Sequence, residues 1–160
     1  MCTIIDKRAT EIEKKKLKKT GKSHAWKVVR VVKDEWRAPY YASRYNKVGM
    51  NKANGPLRTY WDEIHGGAFH CFLTRKLART LIIAQLKRDL KSGWFDEEML
   101  SRKYKVVKVI FNSKDFVCIG RQRAIDKQAW NLPEGNESIC ITKFKFAEKT
   151  KVSPKSGKKL

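Results

Sequence analysis

The sequence predicts an α+β fold: a single domain with a mixed or antiparallel sheet, packed by one main helix over residues 75–91 and flanked by basic tails. Runs rich in β-branched and aromatic residues, typical of strands, recur along the chain. One long segment with helical apolar periodicity interrupts them. Strands and helices do not alternate regularly, which argues against a parallel βαβ fold.

The length of 160 residues suits one domain with a buried core. We divide it into a basic N-terminal arm (1–23), a core domain (24–146) and a basic flexible tail (147–160). Within the arm, residues 8–19 contain good helix formers but few large apolar side chains, which predicts a mostly solvated helix. The tail has too few apolar groups to offset the entropy lost on ordering.

The first half of the core is predicted as strands and irregular structure. The β-branched and aromatic run Trp26–Val32 predicts the first strand. In residues 34–62, prolines and glycines interrupt aromatic and basic residues, which indicates irregular structure with short strands. The apolar run Ala68–Leu73 predicts a short buried strand, and Thr74 is expected to cap the main helix.

The second half of the core is predicted to contain one short helix and three strands. Ser92 and Gly93 end the main helix, and Asp96 is expected to cap the shorter one. The strands are predicted over Tyr104–Phe111, Phe116–Ile119 and Ile139–Phe146.

Positive charge is the most unusual property of the chain. It has 37 Lys and Arg against 16 Asp and Glu, a formal net charge of +21. The arm before Ser23 contributes +5, residues 24–146 contribute +12, and the tail contributes +4. Such charge repels itself in a compact protein, and a polyanion such as DNA or RNA would neutralise it. We therefore predict a protein that binds nucleic acid or a nucleoprotein, mainly through the phosphate backbone.

Aromatic and basic residues interleave over residues 36–61, a pattern that suits base stacking combined with phosphate contacts. The alternative is that these aromatic residues pack in the core. The predicted interface consists of Arg37, Tyr40, Tyr41, Arg44, Tyr45, Arg58, Lys149 and Lys151. A second hypothesis is an inhibitor that binds an acidic or nucleic-acid-binding surface of a host protein, steered there by charge.

Acids and histidines gather between Asp62 and His70, which raises the question of a metal site. Their spacing matches no familiar metalloenzyme pattern, and a strand from Ala68 would bury His70 or turn it away from His65. We favour structural histidines and predict no metal and no cofactor.

The order of elements over residues 26–119 resembles that of small uncharacterised proteins from bacteriophages and mobile elements. It comprises a strand ending in Arg30, Gly-Gly before FHCFLT, a helix with RKLARTLI, and YKVVKVIF before DFVCIG. The same order is similar to the core of ADP-ribosyltransferase-like folds. That resemblance implies Arg30 as a dinucleotide contact and His70 or Thr74 as the member on the second strand.

The chain departs from that pattern because no glutamate occurs between Tyr104 and Trp130. In those enzymes a late glutamate commonly orients the reacting ribose. A site without it would bind a nucleotide but lack the group that polarises the ribose. Walker, GxGxxG and GxSxG motifs are also absent. We therefore favour a binding protein over an enzyme and assign no catalytic residue.

The four cysteines are widely spaced and form no CxxC pair, so we expect reduced thiols rather than a zinc site or a disulfide framework. The sequence has no signal-peptide pattern and no apolar run long enough to cross a bilayer. We expect a cytoplasmic protein without a membrane partner, located in host cytoplasm if its origin is a phage.

Overall fold

The computed structural model describes residues 3–39, 43–91, 93, 103–122, 135 and 137–147. These residues form eleven β-strands, two α-helices and one turn of 3-10 helix. In chain order the elements are β1 (Thr3–Ile5), α1 (Lys7–Thr20), β2 (Lys22–Val32), β3 (Glu35–Arg37), β4 (Asn51–Lys52), β5 (Arg58–Tyr60), β6 (Glu63–Gly66), β7 (Phe69–Phe72), α2 (Arg75–Lys91), β8 (Tyr104–Asn112), the 3-10 turn (Ser113–Asp115), β9 (Phe116–Gln122), β10 (Ser138–Ile141) and β11 (Lys143–Phe146).

The strands form one sheet in the order β4-β11-β8-β2-β7-β10-β9-β1-β6-β5, with β3 paired to β2. The strand pairs are antiparallel. β4 and β5 lie at opposite ends of this order, yet only residues 53–57 join them. Five residues span at most about 18 Å, so the two ends must approach each other. The sheet accordingly curls into a half-barrel.

The pairing of β2 with β8 is the longest in the sheet and runs from Lys22↔Asn112 to Arg30↔Tyr104. Successive side chains of a strand point to opposite faces, so β2 contributes to two clusters. Ala25 and Val29 belong to the larger core cluster, which also contains Val107 and Phe144. Val28 belongs to the cluster beneath α2, with Phe72, Ala78 and Leu81.

Helix α1 is fixed at both ends and docked on the sheet. The Asp6 carboxylate accepts a hydrogen bond from the Ala9 amide at 2.8 Å, which satisfies one of the free amides at the helix start. Gly21, with φ 76°, ends the helix in a left-handed conformation, and its amide donates to the Leu17 carbonyl. Leu17 is 2% exposed and packs in the larger core cluster. Residues 3–22, assigned from sequence to the arm, thus supply β1, α1 and the start of β2.

The α+β class with one main helix is wrong. The described residues form a β-rich fold in which two helices pack on a curled antiparallel sheet. The antiparallel pairing and the helix over 75–91 are present. The class was missed because β3 to β6 contain only two to four residues each, too few to give a clear alternating pattern.

Two further details differ from the sequence prediction. The run Ile139–Phe146 forms two strands, β10 and β11, separated at Thr142. The short helix predicted from Asp96 lies outside the described residues. Among the helices of the described chain, none is long and apolar enough to cross a membrane.

Candidate nucleic-acid interface

A basic groove of about 670 Å³ lies at the end of the sheet where β11 pairs with β4. Strands β8 and β11 and the segment 47–50 line it. Four lysines face this groove: Lys22, Lys47, Lys143 and Lys145. Asp115 is the acid among the described lining residues, so the lining has a formal charge of +3.

Strand alternation explains why two of these lysines face outwards. In β11, Phe144 and Phe146 are buried in the core cluster, which turns Lys143 and Lys145 to the opposite face. In β8, Val109 and Phe111 are buried while Ile110 is 41% exposed. The register pairs Lys145 with Ile110. A charged and an apolar side chain therefore stand side by side on the exposed face.

The groove lysines have no acidic partner in the described part of the chain. The ion pairs formed there do not involve any of the four. Lys47 lies over the ring of Trp36, with its Nζ 5.4 Å from the ring centroid. A cation–π contact orients the ammonium without neutralising it. The positive charge of the groove is thus available to an external anion.

Apolar side chains also reach this groove. Val48 is 83% exposed and Met50 is 40% exposed, and both line it beside Ile110. Exposed apolar groups between cations suit a ligand that alternates charged and apolar parts, as a nucleic-acid strand does with its phosphates and base faces.

Two of the arginines predicted as phosphate contacts share one carboxylate. Arg37 lies 2.7 Å and Arg44 2.8 Å from Glu35, and the two arginines are adjacent through a β-bridge. A hydrogen bond from Arg37, and to a lesser extent one from Arg44, lowers the pKa of Glu35, so this carboxylate stays ionised. Half of the charge of this pair is therefore compensated within the protein.

The other two described residues of the predicted interface, Tyr45 and Arg58, lie in different parts of the fold. The ring of Tyr45 packs about 6 Å from those of Phe69, Phe144 and Phe146, which corresponds to the core-packing alternative. Arg58 lies on β5, at the opposite end of the strand order from β4, with its guanidinium over Gly66. Tyr40, Tyr41, Lys149 and Lys151 lie outside the described residues.

The residues of the predicted nucleotide site lie on β2, on β7 and at the start of α2. Arg30 pairs across the sheet with Tyr104 and Arg37. The Thr74 hydroxyl accepts a hydrogen bond from the Leu77 amide at 3.1 Å, the helix cap expected from the sequence. His70 lies on β7, with Nδ1 2.8 Å from Thr3 Oγ1.

The fold brings His70 to within 3.5 Å of the Cys140 thiol, a proximity that the sequence did not indicate. The hydrogen bond that the Cys140 thiol donates to Cys118, together with burial, raises the pKa of Cys140 well above its ordinary value. Burial and the charge of Lys27 lower the pKa of His70 to about 4. Both groups are therefore neutral at pH 7, whereas a nucleophilic cysteine requires a thiolate.

The acids and histidines between Asp62 and His70, considered above as a metal site, contact different partners. Asp62 pairs with Lys7 at 3.2 Å, and Glu63 pairs with His65 at 3.3 Å. Within the described ranges, no group of three or more His, Cys, Asp or Glu side chains is arranged to hold a metal ion.

Comparisons with family models, with curated proteins and with solved structures find no match to this chain. The resemblance to phage proteins and to ADP-ribosyltransferase-like folds therefore stays a prediction. The predicted interface includes none of the four groove lysines, because the sequence pattern drew attention to arginines and tyrosines of residues 36–61 and to the lysines of the tail. The alternation Lys-Phe-Lys-Phe in β11 was the available signal, since a strand with two buried phenylalanines must expose its lysines.

Proposed function

We propose that this protein binds the phosphate backbone of a nucleic acid in the groove lined by Lys22, Lys47, Lys143 and Lys145. The observation that carries the proposal is the convergence of four lysines, none in an ion pair of the described chain, on one groove. Unpaired cations gathered in a concave surface attract a polyanion more strongly than the same charges dispersed.

The chemistry of lysine sets the kind of recognition. Each ammonium is a point charge that contacts phosphate oxygens and displaces condensed counterions, and it carries no base-specific information. The exposed side chains of Val48, Met50 and Ile110 add contacts to sugars and base faces without hydrogen-bond readout. Binding should therefore depend on charge and show little sequence preference.

A salt titration tests this proposal. Binding of a fluorescent single-stranded oligonucleotide is measured by anisotropy between about 50 and 200 mM salt. Four lysine–phosphate contacts predict a slope of log K against log salt of roughly −3. An oligomer of the same sequence with an uncharged backbone is the matched control and should not bind.

A slope near zero would contradict the proposal, as would equal binding of the uncharged oligomer. Affinity purification with nuclease treatment supplies an independent check. If a stoichiometric protein partner survives digestion and no oligonucleotide binds directly, the charge serves a protein surface instead.

A further inference from the structure

The side chain of Lys27, on β2, places its ammonium group in the interior of the protein. The residue is 5% exposed, and its Nζ donates a hydrogen bond to the His70 carbonyl at 3.1 Å. The same Nζ lies 5.3 Å from the ring centroid of Tyr45 and 5.5 Å from that of Phe69. No carboxylate of the described residues forms an ion pair with it. A buried charge without a counter-ion is costly and often marks a functional site.

This ammonium remains charged at neutral pH. Burial by itself would lower the pKa of Lys27, but interactions with Tyr45, Cys71 and Cys140 raise it above the ordinary lysine value. The cation needs stabilisation from an anion or from oriented dipoles.

Lys27 faces a cleft of about 290 Å³ that opens where the sheet divides. On one edge, β2 pairs with β7 at Trp26 and with β3 from Arg30 to Val32. Between these two contacts, residues 27–29 have no paired strand on that edge among the described residues. The volume is close to the lower end of that of small-molecule sites, about 300 Å³.

The cleft is cationic. Lys27, Arg44 and Lys52 line it, and its described lining contains no Asp or Glu. Arg44 is paired with Glu35 at 2.8 Å, which leaves two uncompensated positive charges. His70, also in the lining, is neutral at pH 7 because burial and Lys27 lower its pKa to about 4.

We propose that this cleft binds a phosphomonoester, of a size up to that of a mononucleotide, with its phosphate on Lys27 and Lys52. A phosphomonoester carries a charge of about −1.5 to −2 at pH 7, which matches the two free cations, whereas a carboxylate would leave one uncompensated. Its three oxygens accept hydrogen bonds from both ammonium groups. The rings of Tyr45 and Phe69 give the remainder of the ligand an apolar surface.

The cleft and the basic groove are neighbours. Tyr45 lines the cleft, and its ring packs on Phe144, which lines the groove. Lys52 of the cleft pairs across the sheet with Lys143 of the groove. The phosphomonoester therefore has two sources: a free mononucleotide, or the terminal phosphate of a strand held in the groove. Binding of a free mononucleotide does not rest on the proposed function of the groove.

Calorimetric titration of the full chain with adenosine monophosphate, using adenosine as the control ligand, tests the cleft. We expect saturable binding of the phosphorylated ligand alone. The substitution Lys27→Met, which removes the charge at similar volume, should weaken it by at least about tenfold, as expected for loss of a charge-assisted contact. The matched variant Lys76→Met removes an exposed lysine of α2 that lines neither the cleft nor the groove, and it should change the affinity less than about twofold.

Folding of Lys27→Met is checked by circular dichroism and thermal unfolding, since replacing a buried charge by an apolar group is often neutral. If this variant does not fold, the exposed Lys52→Gln replaces it and should weaken binding at least about threefold. Absence of saturable binding, or equal affinity in the folded cleft variant, would overturn the proposal.

Oligonucleotides with and without a 5′-phosphate distinguish the two sources. A preference for the phosphorylated strand that Lys27→Met abolishes identifies the strand terminus as the ligand. No such preference, together with Lys27-dependent binding of adenosine monophosphate, identifies a free nucleotide. Loss of strand binding in groove variants that still bind the mononucleotide separates the two sites.

Discussion

His70 is held as a neutral imidazole in the folded protein. Burial and the positive charge of Lys27 lower its pKa from the ordinary 6.5 to about 4. Its Nδ1 lies near the Thr3 hydroxyl, which in turn lies 3.0 Å from the hydroxyl of Ser138. Three strands, β1, β7 and β10, thus meet through one uncharged polar cluster, and protonating its histidine opposes folding.

Stability should therefore fall on acidification in a way that depends on His70. Between about pH 6.5 and 4 the unfolded chain binds a proton on this histidine that the folded chain does not. The lost stability amounts to about 2 kcal/mol between pH 7 and pH 5. Urea unfolding at both pH values measures it, and His70→Gln should show a pH dependence smaller by that amount. Equal pH dependence of the two proteins would exclude a neutral buried His70.

For single residues, the sequence shows which side chains are charged but not which of these charges are neutralised by a neighbouring residue of opposite charge. Arg37 and Arg44 were expected to contact phosphate, and the fold places both on Glu35. The ammonium of Lys27 is buried because β2 crosses the middle of the sheet. The first outcome depends on the β-bridge that brings Arg44 beside Arg37, and the second on strands far apart in the chain. Local pattern specifies neither. The outward direction of Lys143 and Lys145 does follow from local alternation.

Helix α1 packs on the core through one large apolar side chain, that of Leu17. Leu17 is 2% exposed, whereas Ile12 on the same helix is 48% exposed. Truncating a fully buried leucine removes apolar contact and leaves a cavity, so Leu17→Ala should destabilise the protein by about 2–5 kcal/mol. The matched control Ile12→Ala should cost less than about 0.5 kcal/mol. Chemical denaturation measures both, and similar small losses would show that α1 is not docked.

Strand β1 depends on a glycine in its neighbour β9. Ile5 of β1 pairs with Gly120, and a Cβ atom on that glycine would overlap the carbonyl oxygen of Ile4. We expect Gly120→Ala to cost about 1–3 kcal/mol and to loosen β1. Hydrogen exchange should show faster exchange for the β1 amides, with the β2–β8 ladder as internal control. Unchanged protection in β1 would contradict this close packing.

The elements with strong patterns were predictable, and the short ones were not. The helix predicted over 75–91 is confirmed as α2, and Tyr104–Phe111 lies within β8. β1 has only three residues, and its place between β9 and β6 depends on contacts with residues distant in the chain. Propensity over so few residues is a weak signal compared with partners supplied by the rest of the chain.

At the scale of the whole molecule, the fold gathers part of the positive charge at one end of the sheet. The formal charge of +21 was evident from composition, but its position was not. The groove combines Lys22 at the start of β2, Lys47 of an irregular segment, and two lysines near the end of the described chain. Only the strand order β4-β11-β8-β2 brings these distant segments together.

The most direct test compares two triple variants that remove the same charge. Lys47, Lys143 and Lys145 are replaced by Gln in the groove, and the exposed Arg75, Lys76 and Arg79 are replaced by Gln on α2. Oligonucleotide affinity is measured for both across salt concentrations. The groove variant should lose affinity strongly and reduce the magnitude of the salt slope by about 2–3, whereas the α2 variant should remain close to the original protein. Equal losses in both would mean that net charge alone drives binding, and would contradict a groove-specific site.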